Sequence, residues 1–103
     1  MGFPECKVYR STERMLQSQD FRTRYKAMRQ VSSRFIKRKD VREAVLRRCN
    51  YKCYLCGSDE NLQVDHVISV YKGAKDRMSY KAINSEENLM AICRTCNAGK
   101  KVE

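Results

Sequence analysis

Cys53-Tyr54-Leu55-Cys56 and Cys93-Arg94-Thr95-Cys96 each set two thiols across a two-residue gap. That gap lets both sulfurs of a pair point to one side of a tight turn. Gly57 adds a permissive backbone, so that amides can donate to the thiolates. Two such knuckles complete a tetrahedral four-cysteine set with no open position, which suits a structural Zn2+. A thioredoxin-like redox dithiol would need a single C-x-x-C in a βαβ pattern, and here there are two pairs and no such pattern. Cys6 and Cys49 are surplus, Cys49 as a small buried residue and Cys6 as a free thiol near a mobile end.

The one histidine of the chain stands between the knuckles, in Asp65-His66. A lone histidine is by default a core or surface residue with a satisfied hydrogen bond. This one lies in a short alternating stretch, where neighbouring residues face opposite sides and can do different work. Imidazole has an ordinary pKa near neutrality, as a base for phosphodiester hydrolysis requires. That reaction also needs a cation to neutralise charge on the phosphate and the leaving oxygen.

Several elements have to position these groups. Phe21, Tyr25, Met28, Ser32 and Phe35 recur at helical spacing between Asp20 and about Lys39. Arg22, Arg24, Lys26, Arg29, Arg34, Lys37 and Arg38 lie between them, giving an amphipathic basic helix. Its cations either stay solvated or contact phosphates. Asp40-Val41-Arg42-Glu43 reads as a capping box opening a second helix that turns Val41, Ala44, Val45 and Cys49 inward and stops near Asn50. Leu62, Val64 and Ile68 mark one face of a short strand. Residues 69 to 87 read as a polar, basic stretch around Gly73. Leu89–Ile92 has the length of a strand, and the tail from Arg94 has room for a short helix. The residues before about Lys7 are expected to fray.

A chain of 103 residues with no Trp and a mean hydropathy of −0.73 makes one domain with a thin core, which favours a metal staple. The N-terminus has no signal-peptide h-region and no apolar run reaches a membrane span, so the expected setting is cytoplasmic, where paired cysteines hold metal. Residues 1–50 carry 14 Lys/Arg against 5 Asp/Glu, whereas residues 51–103 carry 8 against 7. A basic half beside a near-neutral half points to a polyanionic partner, most often nucleic acid.

Taken in order, Cys53-x-x-Cys56, Asp65-His66-Val67-Ile68, Lys72-Gly73, Glu87-Asn88-Leu89 and Cys93-x-x-Cys96-Asn97-x-x-Lys100 resemble the HNH endonuclease signature. The resemblance covers roughly residues 41 to 101. It implies an α+β fold, a ββα-metal core stapled by the four-cysteine zinc site, preceded by N-terminal basic helices. The chain then divides into a mainly helical extension, 1–40, and a nuclease core, 41–103. By position, His66 would be the general base and Asp65 a ligand of a catalytic Mg2+ or Mn2+, while Asn88 would tie down the loop that orients His66. Asn97 stands where the family usually has a final histidine; it would be the second metal ligand, or else only a cap of the knuckle. The implied activity is cleavage of DNA, double-stranded by expectation, leaving 3′-hydroxyl and 5′-phosphate ends. A non-catalytic zinc-stapled DNA-binding module is the alternative. Expected backbone contacts are Arg22, Arg29, Lys37, Lys72, Lys75, Arg77 and Lys100, with Tyr71, Tyr80 and Lys81 along the same loop. Phage packaging, restriction and intron homing are settings such domains serve. So short a chain implies low sequence specificity or a targeting protein partner.

Overall fold

Asp20 starts the longest helix. Its carboxylate accepts from the Thr23 amide at 3.1 Å and from the Thr23 hydroxyl at 2.8 Å, satisfying donors that the first turn leaves free. In the computed structural model, which describes residues 2–100, this helix is α2, Phe21–Lys37. It follows α1, Arg10–Leu16, and precedes α3, Lys39–Arg48. Then come β1, Leu62–His66; α4, Val70–Lys75; and α5, Tyr80–Ile83. A 3-10 turn at Glu86–Asn88 leads into β2, Leu89–Cys93, and α6, Arg94–Gly99. The fold is α+β, with helices packed around a two-stranded antiparallel sheet.

β1 and β2 pair in a register running from Leu62 opposite Cys93 to His66 opposite Leu89. A two-stranded ribbon is marginal alone in water. Here its inner face rests on α3, whose Val41 and Val45, one helical turn apart, are fully buried with Val64, Leu89 and Phe35. Each such side chain contributes about 1.5–3 kcal/mol by leaving water. A second cluster joins Met28 and Ala27 of α2 to Leu16, Ala74 and Ile83. A third, Ile92 with Cys53 and Cys93, lies under the knuckles. The first two clusters combine residues from before and after position 40.

The expected stripe of α2 holds, with Met28, Ser32 and Phe35 buried, but the helix ends at Lys37. Arg38 takes an extended ψ of 136° and serves as the N-cap of α3. This displaces the expected capping box by two residues. Asp40 falls inside the helix, where its carboxylate is taken by the Arg38 guanidinium at 2.6 and 3.0 Å. Glu43 accepts from the Tyr51 hydroxyl instead of reaching back. Asn50 does adopt the left-handed backbone expected at the helix end, φ 56°, and Tyr51 follows it at 55°.

Four further expectations are corrected. Arg24 is 5% exposed, because its guanidinium bridges the carbonyls of Ala74 and Ser18 at 2.8 and 2.9 Å. The N-terminal segment is packed and not frayed. Phe3 meets Phe35 edge-on, with ring centroids 6.2 Å apart, and the Cys6 thiol is buried. Ile68 lies beyond β1 and is half-exposed, so the inward set of the strand is Leu62, Val64 and His66. The stretch 69–87 folds into α4 and α5, each opened by a serine whose hydroxyl accepts from the amide three residues on: Ser69 from Lys72 and Ser79 from Ala82. Among the described residues no helix is long and apolar enough to cross a membrane.

Candidate active site and zinc knuckles

At one end of the sheet the four sulfurs of Cys53, Cys56, Cys93 and Cys96 all lie within 4.8 Å of one another. Each pair is shaped by backbone. The Leu55 amide donates to Cys53 Sγ and the Cys96 amide to Cys93 Sγ, both at 3.4 Å. Gly57 closes the first turn at φ 80° by donating to the Cys53 carbonyl at 2.9 Å. Burial opposes ionisation of Cys53, but amide donation from Cys93, Cys56 and Leu55 outweighs it and draws the thiol down to about 6. Hydrogen bonds from Cys93 and Cys56, with burial added, push Cys96 up to about 12. The Cys53 thiolate therefore forms readily, whereas the Cys56 and Cys96 thiols resist ionisation. This donor set fits Zn2+.

The polar groups of the hairpin collect at the other end of β1, where alternation separates the two adjacent candidates. His66 turns inward and is 7% exposed; Asp65 turns outward. Burial pushes the His66 imidazole below its ordinary value, more than the Asn84 hydrogen bond and the Asp65 charge raise it. It is therefore neutral at neutral pH, as a base must be. Its Nε2 lies 2.8 Å from Asn84 Oδ1.

On the outer side, the Lys100 ammonium donates both to Asp65 Oδ2 and, at 2.7 Å, to the His66 carbonyl. Asn97, on α6, donates from Nδ2 to Gln63 Oε1 at 2.6 Å, which leaves its carbonyl oxygen as its other donor atom for a cation. Asp65, His66, Asn97 and Lys100 line one cavity of about 340 Å3, whose opposite wall is Tyr25, Arg29 and Ser33 of α2. Tyr71 closes a side, T-shaped against Tyr25 at 5.4 Å.

Asn88 stands outside that cavity. Its Oδ1 accepts from the Ile68 amide at 2.7 Å, and its Nδ2 donates to the carbonyls of Ile68 and Ile83 at 3.1 and 2.9 Å. One side chain thus clamps both ends of the segment holding α4 and α5. Of the expected backbone contacts, Arg29 and Lys100 line the cavity. Arg77 bonds Gln19, and with Lys81 and Tyr80 it borders a different cavity, beside Leu16 and Met28. Lys72 pairs with Asp76 at 3.3 Å. Arg22, Lys37 and Lys75 are exposed away from the cavity wall. Asn84, Ser32 and Gln63 escaped the sequence as site residues. Asn84 follows a short helix, where asparagine looks like a cap, and Ser32 sits in an apolar stripe.

A two-stranded antiparallel pair and following helix, with four cysteines placed to hold a metal and an Asp-His pair on the first strand, define a ββα-metal fold. Residues 47–103 match the HNH endonuclease family, and the chain belongs to that family. No curated protein and no solved structure matches the chain.

Proposed function

We propose that this protein is a metal-dependent DNA endonuclease in which His66 removes the proton from the attacking water. One observation carries this: a buried, neutral imidazole and an outward carboxylate on consecutive residues share a cavity with Asn97, facing the α2 wall that carries Arg29. Asp65 Oδ2 and the His66 carbonyl already converge on an ammonium, so the donor set attracts a cation. Asp65 and Asn97 would hold Mg2+ or Mn2+, for which carboxylate and amide oxygens are suited. Such a cation supplies charge on the phosphate and the leaving 3′ oxygen.

His66 accepts the water proton at its free ring nitrogen while Asn88 keeps the loop beside it closed. Arg29 is held over the Tyr25 ring at 5.7 Å and faces the cavity, where it meets a phosphate from the side opposite Asp65. The basic first half contacts duplex backbone and supplies affinity with little sequence preference. A zinc held by Cys53, Cys56, Cys93 and Cys96 would tie the loop before β1 to the junction of β2 and α6 and would take no part in the reaction. The products carry 3′-hydroxyl and 5′-phosphate ends, and the protein works in a reducing, cytoplasmic setting.

Supercoiled plasmid incubated with Mg2+ or Mn2+, with and without chelator, tests this reading. Wild type should cleave only with metal, and His66→Ala should lose roughly 10²- to 10⁴-fold in rate while retaining zinc and DNA binding. Equal rates in the two proteins would move the base elsewhere. Tight DNA binding with no cleavage in either metal would make the chain a zinc-stapled binding module.

A further inference from the structure

Behind His66 lies a small buried network that the proposed reaction does not use. Asn84 is 2% exposed and Ser32 1%. Asn84 Nδ2 donates to the Tyr80 carbonyl at 3.0 Å and lies 3.1 Å from Ser32 Oγ, a contact made across 52 positions from α2. Cys6 Sγ, 3.7 Å from the same nitrogen, closes the back. Burial pushes the Cys6 thiol up, so the sulfur stays neutral beside the imidazole.

These neighbours fix which way round the amide sits. The Tyr80 carbonyl can only accept, so it requires the NH2 of Asn84; a flipped amide would set two carbonyl oxygens against each other at 3.0 Å. The atom 2.8 Å from His66 Nε2 is therefore Oδ1, which can only accept. In a neutral imidazole one nitrogen carries the proton and the other the lone pair.

We infer that Asn84, braced by Ser32 and Tyr80, is a positioning residue that holds the His66 proton on Nε2 and leaves Nδ1 as the lone pair that takes a proton from water. The inference rests on His66 being the base. It also brings α2 up to the catalytic unit, since Ser32 of that helix braces the Asn84 amide nitrogen whose orientation the Tyr80 carbonyl sets.

The chain contains a single histidine, so ring nitrogen signals in a 15N-labelled sample belong to His66 alone. Long-range proton–nitrogen correlation on the zinc-loaded full chain, at a pH where the ring is neutral, should show Nε2 protonated and Nδ1 bare. Asn84→Leu removes the acceptor at similar volume. It should give a mixed or reversed pattern and a kcat about 10- to 100-fold lower, as loss of an orienting partner does, with zinc content and KM for DNA unchanged. A proton on Nδ1 in the wild type overturns the inference without any variant, so it can be refuted even if Asn84→Leu fails to fold. An unaltered Nε2–H pattern in Asn84→Leu overturns it as well. Unchanged cleavage by His66→Ala would remove the base itself while leaving the wild-type spectrum as described, which separates the two failures.

Discussion

In α4, the backbone at Gly73 approaches α5 so closely that a Cβ built there would lie 2.1 Å from Ile83 Cδ1 and 2.7 Å from Cγ1. Carbon atoms rest about 3.5–4.0 Å apart, so in Gly73→Ala the isoleucine would have to retreat by more than an ångström. Ile83 is fully buried against Met28 and Ala74, which leaves it little room. Overpacking of this kind costs about 1–3 kcal/mol, and replacing a helical glycine by alanine returns up to about 1 kcal/mol. The expected net loss is about 1–2 kcal/mol, or a Tm lower by about 10 °C. Ile83→Ala alone should cost about 2–5 kcal/mol through its cavity. In the double variant the clash disappears and the new methyl fills part of that cavity. The two losses should then fall short of additivity by about 1–3 kcal/mol. Urea unfolding of the four zinc-loaded proteins measures the coupling. Additivity within about 0.5 kcal/mol would show that Gly73 and Ile83 do not compete for the same space, and would refute the account.

Three further outcomes follow from the knuckles, the cavity and the basic half. Purified protein should contain about one zinc per chain, and Cys53→Ser or Cys96→Ser should unfold it, because the knuckle core is too small to hold without metal. Metal analysis and circular dichroism check this, and a folded, zinc-free wild type would contradict it. Asp65→Ala should weaken Mn2+ binding by removing a carboxylate from the cavity, with cleavage partly restored at higher Mn2+. Paramagnetic titration showing unchanged Mn2+ affinity would remove Asp65 from the ligand set. Replacing Arg22, Arg29 and Lys37 together by Gln should flatten the log–log salt dependence of duplex binding by roughly two to three, at about 0.9 for each phosphate no longer neutralised. An unchanged slope would mean that these charges only solvate α2.

What the sequence made legible was whatever repeats at short range. The two-residue cysteine spacing announced the knuckles, and period-two alternation announced β1. The apolar stripe of α2 emerged at a period near 3.6. What stayed hidden depends on contacts between distant positions. The burial of Arg24 needs the Ala74 carbonyl 50 positions away, and no local pattern marks an arginine for the interior. Ser79 and Ser69 were legible as caps only once α4 and α5 existed, and both helices are too short to display a period. The capping box at Asp40 was misplaced because Arg38 competes for its carboxylate, a two-residue contact that propensity does not weigh. In the site, Asp65, His66, Asn97 and Lys100 come together through strand pairing that the motif order anticipates. Asn84 reaches His66 only by way of tertiary packing.

The register that sets His66 opposite Leu89 has a consequence for the order in which the protein is made. A ribosome synthesises β1 well before β2, and Cys96 follows His66 by 30 positions. At about 5–20 residues per second that gap lasts roughly 2–6 s. During it β1 has no ladder partner, the first knuckle has no second, and Asn97 does not yet exist. The nascent chain therefore spends that interval as an unassembled kit, and the cysteine cluster and the cavity around Asp65 and His66 are complete only once the second knuckle has emerged.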